Sequence, residues 1–199
     1  MGSTGIAVRT AADTWAQRTV TGTSNEVDVS NGDGVSGNPT IGLVASPYVT
    51  SISFDSGTNF LDFYEEGSWT PTLSGSSAAP TSVTYTHRQG DYTRVGDLCT
   101  VSFVVLVSAI TLGAGAGDVI ISGLPFTAKN TSPLYYNGAA QLGNVNWATS
   151  AAYVTSSIIN NTAQIAFWES RDNGASALIQ LSVVNATDLF RGTITYKVA

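Results

Sequence analysis

The sequence predicts an all-β protein: β-rich in its front third, then an antiparallel β-sandwich of jelly-roll type. Three observations carry that expectation. Helical periodicity is almost absent, short β-branched runs alternate apolar with polar residues, and Gly, Asn and Asp punctuate these runs. In the back two-thirds the punctuation recurs about every ten residues, the rhythm of a sandwich or jelly roll.

Taken in order, the one helical candidate is residues 10–17, TAADTWAQ, too short to stand alone. Residues 18–44 alternate at Val20, Val27 and Val29, turn through Asn31-Gly32-Asp33-Gly34, and resume at Ile41 and Leu43. Asn-Gly and Asp-Gly tolerate positive φ, so this is hairpin chemistry. Apolar residues here are too few for an independent core, so burial is expected from neighbouring copies of the same segment. The stretch FYEEGSWTPTLSG, residues 63–75, reads as a seam. Trp69 would anchor the head domain that begins there, and Pro71, lacking an N–H, would stop a hydrogen-bonded ladder from running through. The expected domains are therefore 1–62 and 63–199.

Beyond the seam, SVTYTHRQG alternates through Val83, Tyr85 and His87, and a turn at Gly96-Asp97 opens the long run Leu98–Ile110. That run alternates only in part, as a strand buried on both faces would. GAGAGD (113–118) reads as a loop, DVIISGLPF as a strand ended by Pro125. SAAYVTSSIINN, TAQIAFWES, SALIQLSVVN and the terminal RGTITYKVA add four more strands.

Charged residues make up 11 % of the chain, well below the usual quarter, while hydrophobic residues reach 43 %. A surface of hydroxyls and amides is easily buried between subunits, since no unpaired charge is desolvated. The net charge of −6 lies wholly in residues 1–66, where eight acids face only Arg9 and Arg18. No basic patch exists for a phosphate backbone, so nucleic acid is not an expected partner. No apolar run is long enough to span a bilayer, and the first residues lack the charged-then-apolar pattern of a secretory signal. The chain is thus expected to be made in the cytoplasm and not to be membrane-embedded. With Cys99 as its one cysteine it forms no internal disulfide.

Catalytic motifs are wanting. Glu65 and Glu66 are adjacent and would point to opposite faces of a strand, and Asp91, Asp97, Asp118, Glu169, Asp172 and Asp188 fall mostly at expected turns or strand ends. His87, the one histidine, reads as a strand-end residue without a G-x-S-x-G elbow to serve. Cys99 reads as a small buried hydrophobe. GAGAGD lacks the spacing and following helix of a nucleotide loop, and the NGDG at 31–34 lacks the carboxylate register of a calcium loop. No catalytic residue, metal or cofactor is expected. The N-x-S/T matches at Asn130, Asn161 and Asn185 are expected by chance in so Ser/Thr-rich a chain.

Two groups of motifs resemble virion fibres. EEGSWTPTLSG, then YTRVGDLCTVSFVV, ISGLPF and the terminal RGTITYKVA, are similar to the C-terminal domain of phage tail-fibre proteins, with Ser68 where Thr is commoner and Arg94 where Lys is commoner. Upstream, TVTGTSNEVDVSNGDGVSGNPTIGLV resembles the short repeat of phage fibre shafts. The resemblance covers about residues 65–128 and 189–199 plus that repeat. It implies a homotrimer with a slim shaft (1–62) and a globular head (63–199), carried on the virion beside other tail or fibre proteins. Attachment to a host surface glycan or outer-membrane receptor would follow. A trimerisation or capsid-decorating module, or a surface-glycan hydrolase, are the alternatives.

The unmatched middle holds the candidate receptor site. Tyr135, Tyr136, Asn146, Trp147 and Tyr153 sit among Asn, Gln, Ser and Gly. Sugar faces stack on aromatic rings and their hydroxyls pair with amides, although the same residues would also suit a trimer interface or plain core, the commoner use of such residues. Arg171 and Asp172, in WESRDNGAS, read as the tip of an exposed hairpin.

Overall fold

The computed structural model of the chain describes residues 5–47, 52–53, 60–61, 63–147, 151–172 and 174–199. Asp55 and Asp62 of the acidic front, residues 148–150 of the aromatic stretch, and Asn173 of the hairpin lie outside the described residues. The chain divides into two compact units, Met1–Asp62 and Phe63–Ala199.

In the first unit the described strands form three antiparallel ribbons: β1 (Ile6–Ala11) with β2 (Thr14–Arg18), β3 (Val27–Ser30) with β4 (Thr40–Leu43), and β5 (Ile52–Ser53) with β6 (Phe60–Leu61). The helical candidate at 10–17 is instead a tight hairpin. Asp13 takes φ 59°, a left-handed conformation that Asp tolerates, and the chain reverses there. The Asn-Gly-Asp-Gly segment does turn the chain, with Asn31 at φ 53° and Gly34 at φ 72°. It brings Val27 opposite Leu43 and Val29 opposite Ile41. Ile41 and Leu43 remain 65 % and 73 % exposed.

The second unit contains β7 (Tyr64–Trp69), β8 (Thr72–Gly75), β9 (Ser82–Val95), β10 (Leu98–Thr111), β11 (Val119–Ser122), β12 (Tyr136–Gly143), β13 (Ala151–Ile158), β14 (Gln164–Arg171), β15 (Ala177–Leu178) and β16 (Leu189–Lys197), with one 3₁₀ turn at Leu181–Val183. The described residues contain no α-helix, so the all-β class holds. All ten strands join one antiparallel sheet in the order β7-β9-β10-β16-β12-β13-β14-β11-β8, with β15 added to β14.

The sheet is curled. Phe103 on β10 and Phe167 on β14 lie four strands apart in the ladder, about 19 Å on a flat sheet, yet their ring centroids are 6.3 Å apart. Trp69 and Phe190 extend this row of rings at 6.2 Å and 5.4 Å. Cys99, Val101, Val105 and Val107 of β10, Ile194 and Tyr196 of β16, and Ile165 of β14 fill the same interior. Burying each such side chain contributes roughly 1.5–3 kcal/mol. The first and last strands of the ladder, β7 and β8, are consecutive in sequence and joined only by Thr70 and the buried Pro71.

Three local expectations are corrected. The run Leu98–Ile110 is not buried on both faces: Cys99, Val101, Phe103, Val105 and Val107 point inward while Thr100 and Ser102 face out. Its alternation breaks where register shifts against β9 between Leu106 and Ala109 re-aim the side chains. Burial on both sides is found instead at Val119, Ile120 and Ile121 of β11 and at Ile165, Ala166 and Phe167 of β14. His87 lies within β9, opposite Leu106, rather than at a strand end. Asp91 and Glu169 likewise lie inside strands. Cys99 is fully buried, and burial pushes its thiol up, away from a reactive thiolate.

Asp188 is 1 % exposed just before β16 and accepts a hydrogen bond from the Asn185 N–H at 2.8 Å. Burial holds its carboxyl above the ordinary aspartate range. The folded chain therefore keeps this proton longer than the unfolded one. Its contribution to stability is full below the unfolded value and declines as pH rises through the folded one. Asp188→Asn should remove that decline. Urea midpoints of the two proteins should lie closest at the acid end, below the ordinary aspartate value of about 3.9, and separate, with the variant higher, as pH rises above it. Parallel pH profiles would refute this.

Candidate functional site

Period-2 alternation sorts the side chains of β12, β13 and β14 onto two faces. On β14, Ile165, Phe167 and Glu169 point inward and Trp168 outward. Register then assembles the outer face: Asn137 opposite Ser157, and Thr155 opposite Trp168. With Tyr135 from the preceding loop, and Ser170 and Ser176, these residues line a cavity of about 390 Å³. None is charged. The Trp168 indole N–H donates to Ser157 Oγ at 2.7 Å, fixing the ring across the groove. Ser170 and Ser176 hydroxyls pair at 3.3 Å. Tyr135 is 65 % exposed, and Tyr153, two residues before Thr155 on the same face, is also exposed. Such a surface offers ring faces for stacking and hydroxyl and amide groups that both donate and accept.

A second cavity, of about 480 Å³, lies on the inward side of β14. Asn146, Trp147 and Arg171 meet there above an apolar floor that includes Leu178 and Ile179. Arg171 does not project from a hairpin tip. Its Nε donates to Glu169 Oε1 at 3.1 Å, and its Nη2 bonds the same oxygen. Glu169 itself is 5 % exposed. Charge in this larger cavity is already compensated, and its walls offer little else that is polar, so the outer groove is the better place for a hydroxyl-rich ligand.

The structure thus divides the residues singled out in the sequence. Tyr135 lines the outer groove and Tyr153 shares its face, whereas Asn146, Trp147 and Arg171 line the inner cavity. Trp147 packs against the core. Tyr136 is half-buried, edge-on to Tyr196 at 6.3 Å. Asp172 is exposed in the turn after β14. Trp69 is a core residue and Pro71 is buried between β7 and β8.

Sequence reasoning missed Trp168, Asn137, Thr155, Ser157, Ser170 and Ser176. The signal for Trp168 was present, since in QIAFWES it falls out of phase with Ile165 and Phe167.

Among the described residues no three His, Cys, Asp or Glu side chains gather as a metal site, and no helix is long and apolar enough to cross a membrane. No protein-family model matches this chain, and neither a curated protein nor a solved structure shows significant similarity to it.

Proposed function

We propose that this chain is a virion-fibre attachment protein whose second unit, a jelly-roll-like sandwich head, binds a glycan of the host surface through the outer groove of β12–β14. The observation that carries the reading is the combination of Tyr135 and Trp168 with five uncharged hydroxyl and amide side chains around one cavity. Rings supply stacking area at low entropic cost, and neutral polar groups match sugar hydroxyls. The motif resemblance at both ends supplies the virion context, with other tail or fibre proteins as neighbours.

In this reading the first unit is a homotrimeric shaft. Its exposed Ile41 and Leu43 would be covered by neighbouring copies. The same exposure favours a second reading, a trimerisation or capsid-decorating module without receptor binding.

Four measurements separate them. Light scattering on the intact protein should give three times the 20.6 kDa chain mass, and the protein should compete with its phage for adsorption and bind host polysaccharide without releasing reducing sugar. A trimer that neither binds nor competes supports the structural module. A stable monomer removes the fibre reading, and sugar release would identify a hydrolase.

A further inference from the structure

On the same outer face, across β12 from the groove, lies a second cavity of about 460 Å³ above β16 and β10. Between them is Ala139, which faces Thr155 on one side and Thr193 on the other. Its methyl group leaves a low point between the Tyr135–Trp168 groove and the region around Arg191 and Ser102. The two cavities therefore lie side by side on one face, spread over the five strands from β10 to β14, about 19 Å at the usual strand spacing. That spread suits a chain rather than a single sugar.

Its far end carries charge. The Arg191 guanidinium is oriented by a neutral partner, Nε and Nη2 donating to Gln141 Oε1 at 2.9 and 2.5 Å. No carboxylate lies within salt-bridge distance of it among the described residues. Lys197, further along the outer face of β16, is paired with Asp97, and Arg171 with Glu169. The ladder places Asp91 opposite Ser102, two strands from Thr193, about 10 Å across the sheet. Arg191 thus presents Nη1 and the free edge of Nη2, a fork that suits two oxygens of a carboxylate or phosphate.

Resting on the glycan reading, we propose that the ligand is an acidic polysaccharide. An uncharged sugar stacks between Tyr135 and Trp168, and an anionic substituent of the same chain sits on Arg191.

The test uses the intact protein and two matched probe pairs: a uronate oligosaccharide with its carboxyl-reduced form, and a phosphorylated oligosaccharide with its dephosphorylated form. Wild type should bind the anionic member of one pair about tenfold more tightly than its neutral counterpart, an advantage that shrinks as salt is raised. The responding pair identifies carboxylate or phosphate. Arg191→Gln should bind both members as wild type binds the neutral one. Trp168→Ala should weaken both alike. Equal binding within both pairs, or a preference that survives Arg191→Gln, overturns the anion subsite and leaves the glycan reading standing. Binding to none of the four, nor to host polysaccharide, overturns both.

Discussion

Trp69→Ala should lower the unfolding free energy by about 3–5 kcal/mol, the loss typical of a large aromatic truncated in a core. Trp69 is 8 % exposed, stacks at a tilt on Phe103, and lies opposite Gly90 on β9. The missing side chain at Gly90 makes room for the indole: a Cβ there would come within 2.3 Å of Trp69 Nε1. The ring therefore fills a slot that β9 leaves open, and Ala would leave a void that a strand held on both sides cannot close. Trp69→Phe should recover a large part of the loss, because the indole N–H has no acceptor among the described residues and the ring contact with Phe103 is kept. Urea unfolding followed by far-UV circular dichroism measures both variants. A loss below about 1 kcal/mol for the Ala variant would remove Trp69 from the core.

Trp168→Ala should weaken glycan binding by roughly thirtyfold, about 2 kcal/mol, the size of a central aromatic anchor. Its effect on stability should stay within about 1 kcal/mol, since the ring lies on the outer face and gives up a single hydrogen bond to Ser157. Trp147→Ala should behave in the opposite sense, because that ring packs against the core. Titration calorimetry with host polysaccharide, beside the unfolding midpoints of each variant, gives both readouts. Unchanged affinity in Trp168→Ala would move the site away from this groove.

These contrasts show which parts of the molecule its sequence exposes. Turn chemistry was legible at Asn31–Gly34 and Gly96-Asp97, because φ preferences are local. The hairpin at Asp13 was not, since Ala-Asp is compatible with a helical turn as well. Strand β12 was hidden because YNGAAQLG has no β-branched residue and is strand only through pairing with β13 and β16. The groove was legible in kind, as aromatic rings among amides and hydroxyls. It was not legible in membership, because Trp168, Thr155 and Asn137 become neighbours only through long-range register. Tyr136 and Trp147 have the composition of a binding site, but the curl of the sheet turns them inward.

The two-residue joint between β7 and β8 also bears on timing. A chain leaving the ribosome N-terminus first displays both margins of the future sheet at once. β7 finds β9 soon after, in the next segment made. β8 pairs only with β11, and β11 otherwise rests on β14, so β8 waits several seconds at about 5–20 residues per second. The waiting segment, TLSGSSAAP, is rich in hydroxyls and small residues, a composition that resists premature association while its partners are still being synthesised.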